Sequence, residues 1–155
     1  SKAFFFAFAS VEKYKKEKLP ALLQQATSFF QQLTNENYRK IYLSPDKDEL
    51  LVERKDGMFF SPSELSQATK EQLYISLRFA LAETLTDALK PPLIIDDGFV
   101  HFDATRLKAM MGLLQTVGKK RQVLFFTCHQ HLILYFDESN VLQLNEVQKG
   151  TVPLH

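Results

Sequence analysis

Two short uninterrupted apolar runs, Leu93-Ile94-Ile95 and Val123-Leu124-Phe125-Phe126, flank a segment of helical period, and this constrains the fold more than any other feature. Within that segment Leu107, Met110, Met111, Leu114 and Val117 recur on one face of a helix from about Ala104 to Val117. Strands that are apolar on every residue and are joined through a helix predict a parallel β-α-β unit buried on both faces. A fourth apolar stretch, Val141-Leu142-Gln143-Leu144, is expected to extend or edge that sheet.

Upstream, the chain alternates helix and short strand. Residues 3 to 18 contain neither Gly nor Pro and carry a Lys/Glu-rich set, so they predict a helix that ends before Pro20. From Leu19, the positions Leu22, Leu23, Ala26, Phe29, Phe30 and Leu33 fall at offsets of 3, 4, 7, 10, 11 and 14, the stripe of a core helix. Ile41 to Leu43, Leu50 to Arg54 and Met58 to Phe60 then predict an antiparallel meander, with turns at Pro45-Asp46 and Asp56-Gly57. Residues 66 to 89 return to helical spacing, with Leu73, Leu77, Ala80, Leu81 and Leu85 on the inner side and Pro91-Pro92 as the stop.

The 155 residues, 45% of them hydrophobic, suffice for one core and argue against two. With 19 Lys+Arg against 18 Asp+Glu, no overall field favours nucleic acid or membrane, and Lys119-Lys120-Arg121 reads as a solvated turn. The single Cys128 excludes a disulfide framework and a CxxC metal knuckle and fits a reducing, cytoplasmic setting. The run Ala3 to Ala9 is far below the ~20 residues needed to span a bilayer. The chain opens on Ser1 inside helical sequence, which leads us to expect a piece of a longer protein.

Four positions can carry chemistry. Asp96-Asp97 leaves the carboxyl end of a buried strand, where open α/β sheets bind ligands. Such a pair can hold Mg²⁺ and orient a water, or one member can cap the next helix. His129 lies beyond the second strand and can donate to a phosphate, with His131 as a competitor. Ser63 and Ser66 are candidate caps of the helix after residue 66, whose first amides suit an anion. Asp103 precedes a further helix and can cap it.

In this order the pieces resemble the C-terminal lobe of an ABC-type ATPase head. Leu65-Ser66-Gln67-Ala68 resembles the ABC signature, Leu93 to Asp97 the Walker B strand, Phe102-Asp103 the D-loop, and His129 the switch histidine. The likeness is greatest to the SMC-like DNA repair and chromosome group, and Leu33-Thr34-Asn35, Ser63 to Ser66 and Phe125 to His129 look most like its bacterial YhaN-type subgroup.

The resemblance implies an α/β fold, a coiled-coil arm base at 1–18 and a head lobe at 19–155. It implies ATP contacts from Ser66, Gln67, Ala68 and Asp103, a magnesium ligand in Asp96, a base in Asp97 and a γ-phosphate sensor in His129. Implied partners are an N-terminal P-loop lobe, a second identical head, DNA and a nuclease subunit. Ala68 replaces the usual signature glycine and Asp97 the usual glutamate, which implies slow hydrolysis. No Gly-x-x-x-x-Gly-Lys-Ser/Thr occurs in the chain, so we expect it to bind and turn over little ATP alone. The competing expectation is a non-catalytic scaffold that uses Phe4, Phe5, Phe6 and Phe8 as an interface.

Overall fold

The computed structural model describes residues 2–44, 49–85, 90–96, 99 and 101–144, with backbone alone for 2–16 and 85. The expected turn at Pro45-Asp46, the helix end at 86–89 and Asp97 lie outside the described residues. So do the side chains of the N-terminal phenylalanines.

The first element, α1 (Lys2–Leu33), is one continuous helix with Pro20 inside it, not a helix that stops before Pro20. At ~1.5 Å per residue it is about 48 Å long. Glu17, Lys18, Pro20 and Ala21 are exposed, so the helix around Pro20 has no close packing to disturb, while the turns that follow are fixed by packing. There Ala26, Phe29, Phe30 and Leu33 are buried, as the stripe predicts. The helix ends through Asn35 and Glu36, both at positive φ (52° and 60°), a left-handed exit that suits Asn better than Glu.

Strands β1 (Tyr38–Leu43), β2 (Leu50–Arg54) and β3 (Phe59–Phe60) form the antiparallel meander in the order β1-β2-β3. The β2–β3 turn closes with Gly57 N–H donating to Arg54 O at 2.9 Å and Arg54 N–H to Met58 O at 2.8 Å. Gly57 stands at φ 83°, where a side chain is strained. Ile41 and Val52 face inward, and Ile41 N–H donates to Thr27 Oγ1 of α1 at 3.0 Å.

Helix α2 (Gln67–Leu85) packs along α1, with Phe29 and Phe79 edge to face at 6.1 Å. Its inner stripe differs from the expected one. Leu73 and Ala80 are buried, but Leu81 is 41% exposed and the inner positions include Gln72 and Ser76. Both polar groups are satisfied internally: Gln72 Nε2 donates to Leu33 O, and Ser76 Oγ donates to Gln72 O at 2.7 Å. Burial without loss of hydrogen bonds is what admits them.

Strand β4 (Leu93–Asp96), helix α3 (Ala104–Gly118) and strand β5 (Val123–Phe126) follow, and β4 and β5 pair in parallel as predicted. Leu107, Met110, Met111, Leu114 and Val117 of α3 are all buried. Two expectations need correction. The sheet is covered on one face only: Leu93, Ile95, Val123 and Phe125 pack on the core, whereas Ile94 is 66%, Leu124 37% and Phe126 45% exposed. Residues 141–144 form no strand and leave Leu142 and Leu144 exposed, preceded by short 3-10 turns at Gln130–Tyr135 and Glu138–Asn140. No helix among the described residues is long and apolar enough to cross a membrane.

Candidate functional site

The parallel register sets Asp96 opposite Phe126, so the chain leaves β4 toward Asp97 and leaves β5 toward Thr127 and His129 at the same sheet edge. Asp96 is exposed and lines a cleft of about 350 Å³ with Arg78, Phe79, Ile94, Phe99 and Met110. A lone exposed carboxylate at a strand end suits one coordination position of Mg²⁺. No group of three or more His, Cys, Asp or Glu able to hold a metal exists among the described residues.

His129 is half-buried, and its N–H donates to Thr127 Oγ1 at 3.1 Å. The bond turns the chain back after β5. Its ring lies 5.6 Å from the exposed ring of His131, so both imidazoles stand near this edge.

Between the two candidate serines the structure chooses Ser66 as the cap of α2. Ser66 Oγ accepts from Thr69 N–H at 3.3 Å and lies 2.8 Å from Thr69 Oγ1. Ser63 is instead bonded to Ser61, whose N–H and hydroxyl both donate to Glu64. Those donors hold the Glu64 carboxyl below its ordinary range. With Thr69 capped, the leading amides of α2 belong to Gln67 and Ala68. Ser66 and Gln67 are exposed; Ala68 is 7% exposed, its methyl absorbed by the fold.

Asp103 caps α3: Oδ1 accepts from Arg106 N–H at 2.8 Å and Oδ2 lies 3.5 Å from Arg106 Nη1. Its carboxylate is still 60% exposed. Beside it a polar cleft of about 820 Å³ runs past Asn35, Tyr38, Arg54, Arg106 and Lys108. Burial raises the Tyr38 phenol there, against the pull of Arg54 and Arg106.

Sequence reasoning missed two groups. Arg121 is not solvated: it is 8% exposed and its Nη2 donates at 3.2 Å to Ala82 O of α2. His101, in the β4–α3 loop, binds Glu71 of α2 with Nδ1 and Oε1 2.6 Å apart. No local spacing signals a pair 30 residues apart in sequence.

No protein-family model matches the chain. It is 44% identical over 135 residues, 86% of its length, to the uncharacterized protein YhaN of Bacillus subtilis (strain 168). It is 29% identical over 116 residues, 72% of its length, to the DNA double-strand break repair Rad50 ATPase of Halobacterium salinarum. The chain spans 14% and 13% of these two relatives' own lengths. Among solved structures, one from a study of ATP-driven dimerization and DNA-stimulated activation of SMC ATPases superposes with a TM-score of 0.67 at 15% identity, covering 81% of this chain and 78% of that one. The SMC head domain of Thermotoga maritima gives 0.60 at 19% identity over 76% of this chain and 41% of that one. The architecture is therefore that of an SMC ATPase head. The chain belongs to the SMC-like ABC ATPase heads as a C-terminal lobe, and YhaN is a homologue.

Proposed function

We propose that this lobe completes an ATP site when it joins an N-terminal P-loop lobe of the same protein and two such heads dimerise. The observation that carries this reading is the β4–β5 register, which sends Asp96-Asp97 and Thr127-Cys128-His129 out at one edge beside a bare apolar sheet face. A two-stranded parallel sheet is not self-sufficient, because parallel strands occur with both faces covered. A P-loop lobe would cover Ile94, Leu124 and Phe126 and bring the phosphate cradle beside Asp96.

In this arrangement Asp96 would hold Mg²⁺ together with groups of the P-loop lobe, and the ion would supply charge neutralisation at the phosphates. Asp97 takes a proton from the attacking water, and His129 donates to the γ-phosphate. Ser66 and Gln67, at the positive end of α2, contact the γ-phosphate held by the opposite head, and Asp103 faces the partner across the dimer. The shorter reach of Asp97 relative to glutamate makes turnover slow. The Rad50 and SMC likenesses support DNA as the ultimate partner and repair or chromosome processing as the setting.

The test is made on the complete protein. Asp97→Asn lowers ATP turnover at least about a hundredfold yet keeps ATP-dependent dimers, whereas Ser66→Arg abolishes the dimers in light scattering. Undiminished turnover in Asp97→Asn, or ATP-dependent dimers undisturbed by Ser66→Arg, refutes the reading.

A further inference from the structure

Glu71 joins two segments that the proposed function keeps apart. Its Oε1 accepts from Gln67 Nε2 at 3.2 Å, within the first turns of α2, and is 2.6 Å from His101 Nδ1 in the loop that runs from Asp96-Asp97 to Asp103. Neutral or charged, an imidazole with a proton on Nδ1 makes this bond. The Glu71 side chain is 22% exposed and its Oε2 is buried without a hydrogen-bond partner among the described residues, so the carboxylate is held in one place, not waving in solvent. On the other side of the loop Phe99 is buried, its ring 5.5 Å from those of Phe102 and Phe125, and Phe102 N–H donates to Phe99 O at 3.1 Å. The aromatic anchors fix the loop against the core, and His101 fixes its outer side to α2.

We propose that Glu71 is a positioning residue that locks the start of α2 to the β4–α3 loop through Gln67 and His101. This rests on the ATP-site reading above. In that reading the α2 start serves the nucleotide of the opposite head, while Asp96 at the end of β4 and Asp103 at the start of α3 bracket the segment that contains His101. One carboxylate oxygen therefore ties together the two contributions a single head makes to two sites. Displacement of either segment is transmitted to the other through the hydrogen bonds of Glu71 Oε1, at 3.2 Å to Gln67 and 2.6 Å to His101.

In the complete protein, Glu71→Ala and His101→Ala each lower kcat about tenfold with KM for ATP held within about twofold, the signature of misplaced groups without lost substrate binding. The double variant is no slower than either single one, because both remove one connection. Glu71→Gln keeps an acceptor for Nδ1 and retains kcat within about threefold. Melting temperatures of all variants stay within about 2 °C of the parent, since a half-exposed pair adds little to stability. If both alanine variants keep kcat within about twofold while Asp97→Asn abolishes it, Glu71 has no positioning role and the ATP-site reading stands. A rise in KM with kcat unchanged also overturns the role. A complete protein without turnover overturns both readings.

Discussion

Gln72→Met probes whether a hydrogen bond between helices is worth what its burial implies. Leu33 ends α1, so its carbonyl has no partner inside that helix. Gln72, 1% exposed, supplies one from α2 through Nε2 at 2.5 Å. Methionine nearly conserves the volume and removes the carboxamide, so the change takes the donor from the Leu33 carbonyl and creates no cavity. A buried acceptor left unpaired costs about 1–3 kcal/mol. At a urea m-value of about 2 kcal/mol per molar, the unfolding midpoint falls by about 0.5–1.5 M. The control is Gln115→Met: Gln115 Nε2 donates to Tyr135 O at 3.1 Å, the same bond type at an exposed site. Water replaces that donor, and the change is within about 0.5 kcal/mol. Equal midpoint shifts for the two variants would show that burial does not set the cost and refute the reasoning.

Two further outcomes follow from groups described above. Arg121→Ala lowers stability by about 1–3 kcal/mol because a buried side chain and its hydrogen bond to Ala82 O are lost together, while the exposed neighbour Lys120→Ala stays within about 0.5 kcal/mol; equal urea midpoints would return Arg121 to the solvent. Hydrogen bonds from Arg54, at 2.6 and 2.9 Å, and from Met58 N–H hold the Asp56 carboxyl below its ordinary range. Because the folded value is the depressed one, its contribution is present above the ordinary carboxylate range and disappears as pH falls through the folded value. Carboxyl NMR should show a low midpoint for Asp56 that moves back up in Arg54→Ala; an ordinary midpoint in the parent contradicts the bond.

The elements were legible wherever burial followed a single period. The stripes of α1 and α3 have apolar residues at every inner position, so pattern and packing agree at Phe29, Phe30, Met110 and Met111. Pro20 misled because the rule that proline stops a helix is a statistical one, and here Pro20 and its neighbours Lys18 and Ala21 are exposed, where a missing hydrogen bond is tolerated. Ile94, Leu124 and Phe126 misled in the opposite direction. Their apolar character implies a covered face, but no described residue covers it. Val141 to Leu144 carries apolar side chains but pairs with no strand among the described residues, and Leu142 and Leu144 stay exposed.

The candidate site was legible in its chain-local parts and silent in its cross-links, and α2 shows why. Ser66 could be recognised as a cap because a cap acts on the next turn, and the structure gives it that bond to Thr69. Gln72, Glu71 and Arg121 read as surface residues because hydropathy treats a polar side chain as solvated unless its partner is known. Gln72 and Arg121 each reach a carbonyl 39 positions away, at Leu33 and Ala82. Glu71 reaches His101. All three bonds involve α2, so the helix whose start is the proposed phosphate contact is tied to the end of α1, to the turn before β5 and to the loop after β4. A helix held at those points cannot move its first turn alone. In the proposed site, a nucleotide that displaces the start of α2 loads the Gln67–Glu71 contact, and Glu71 passes that load to His101 between β4 and α3.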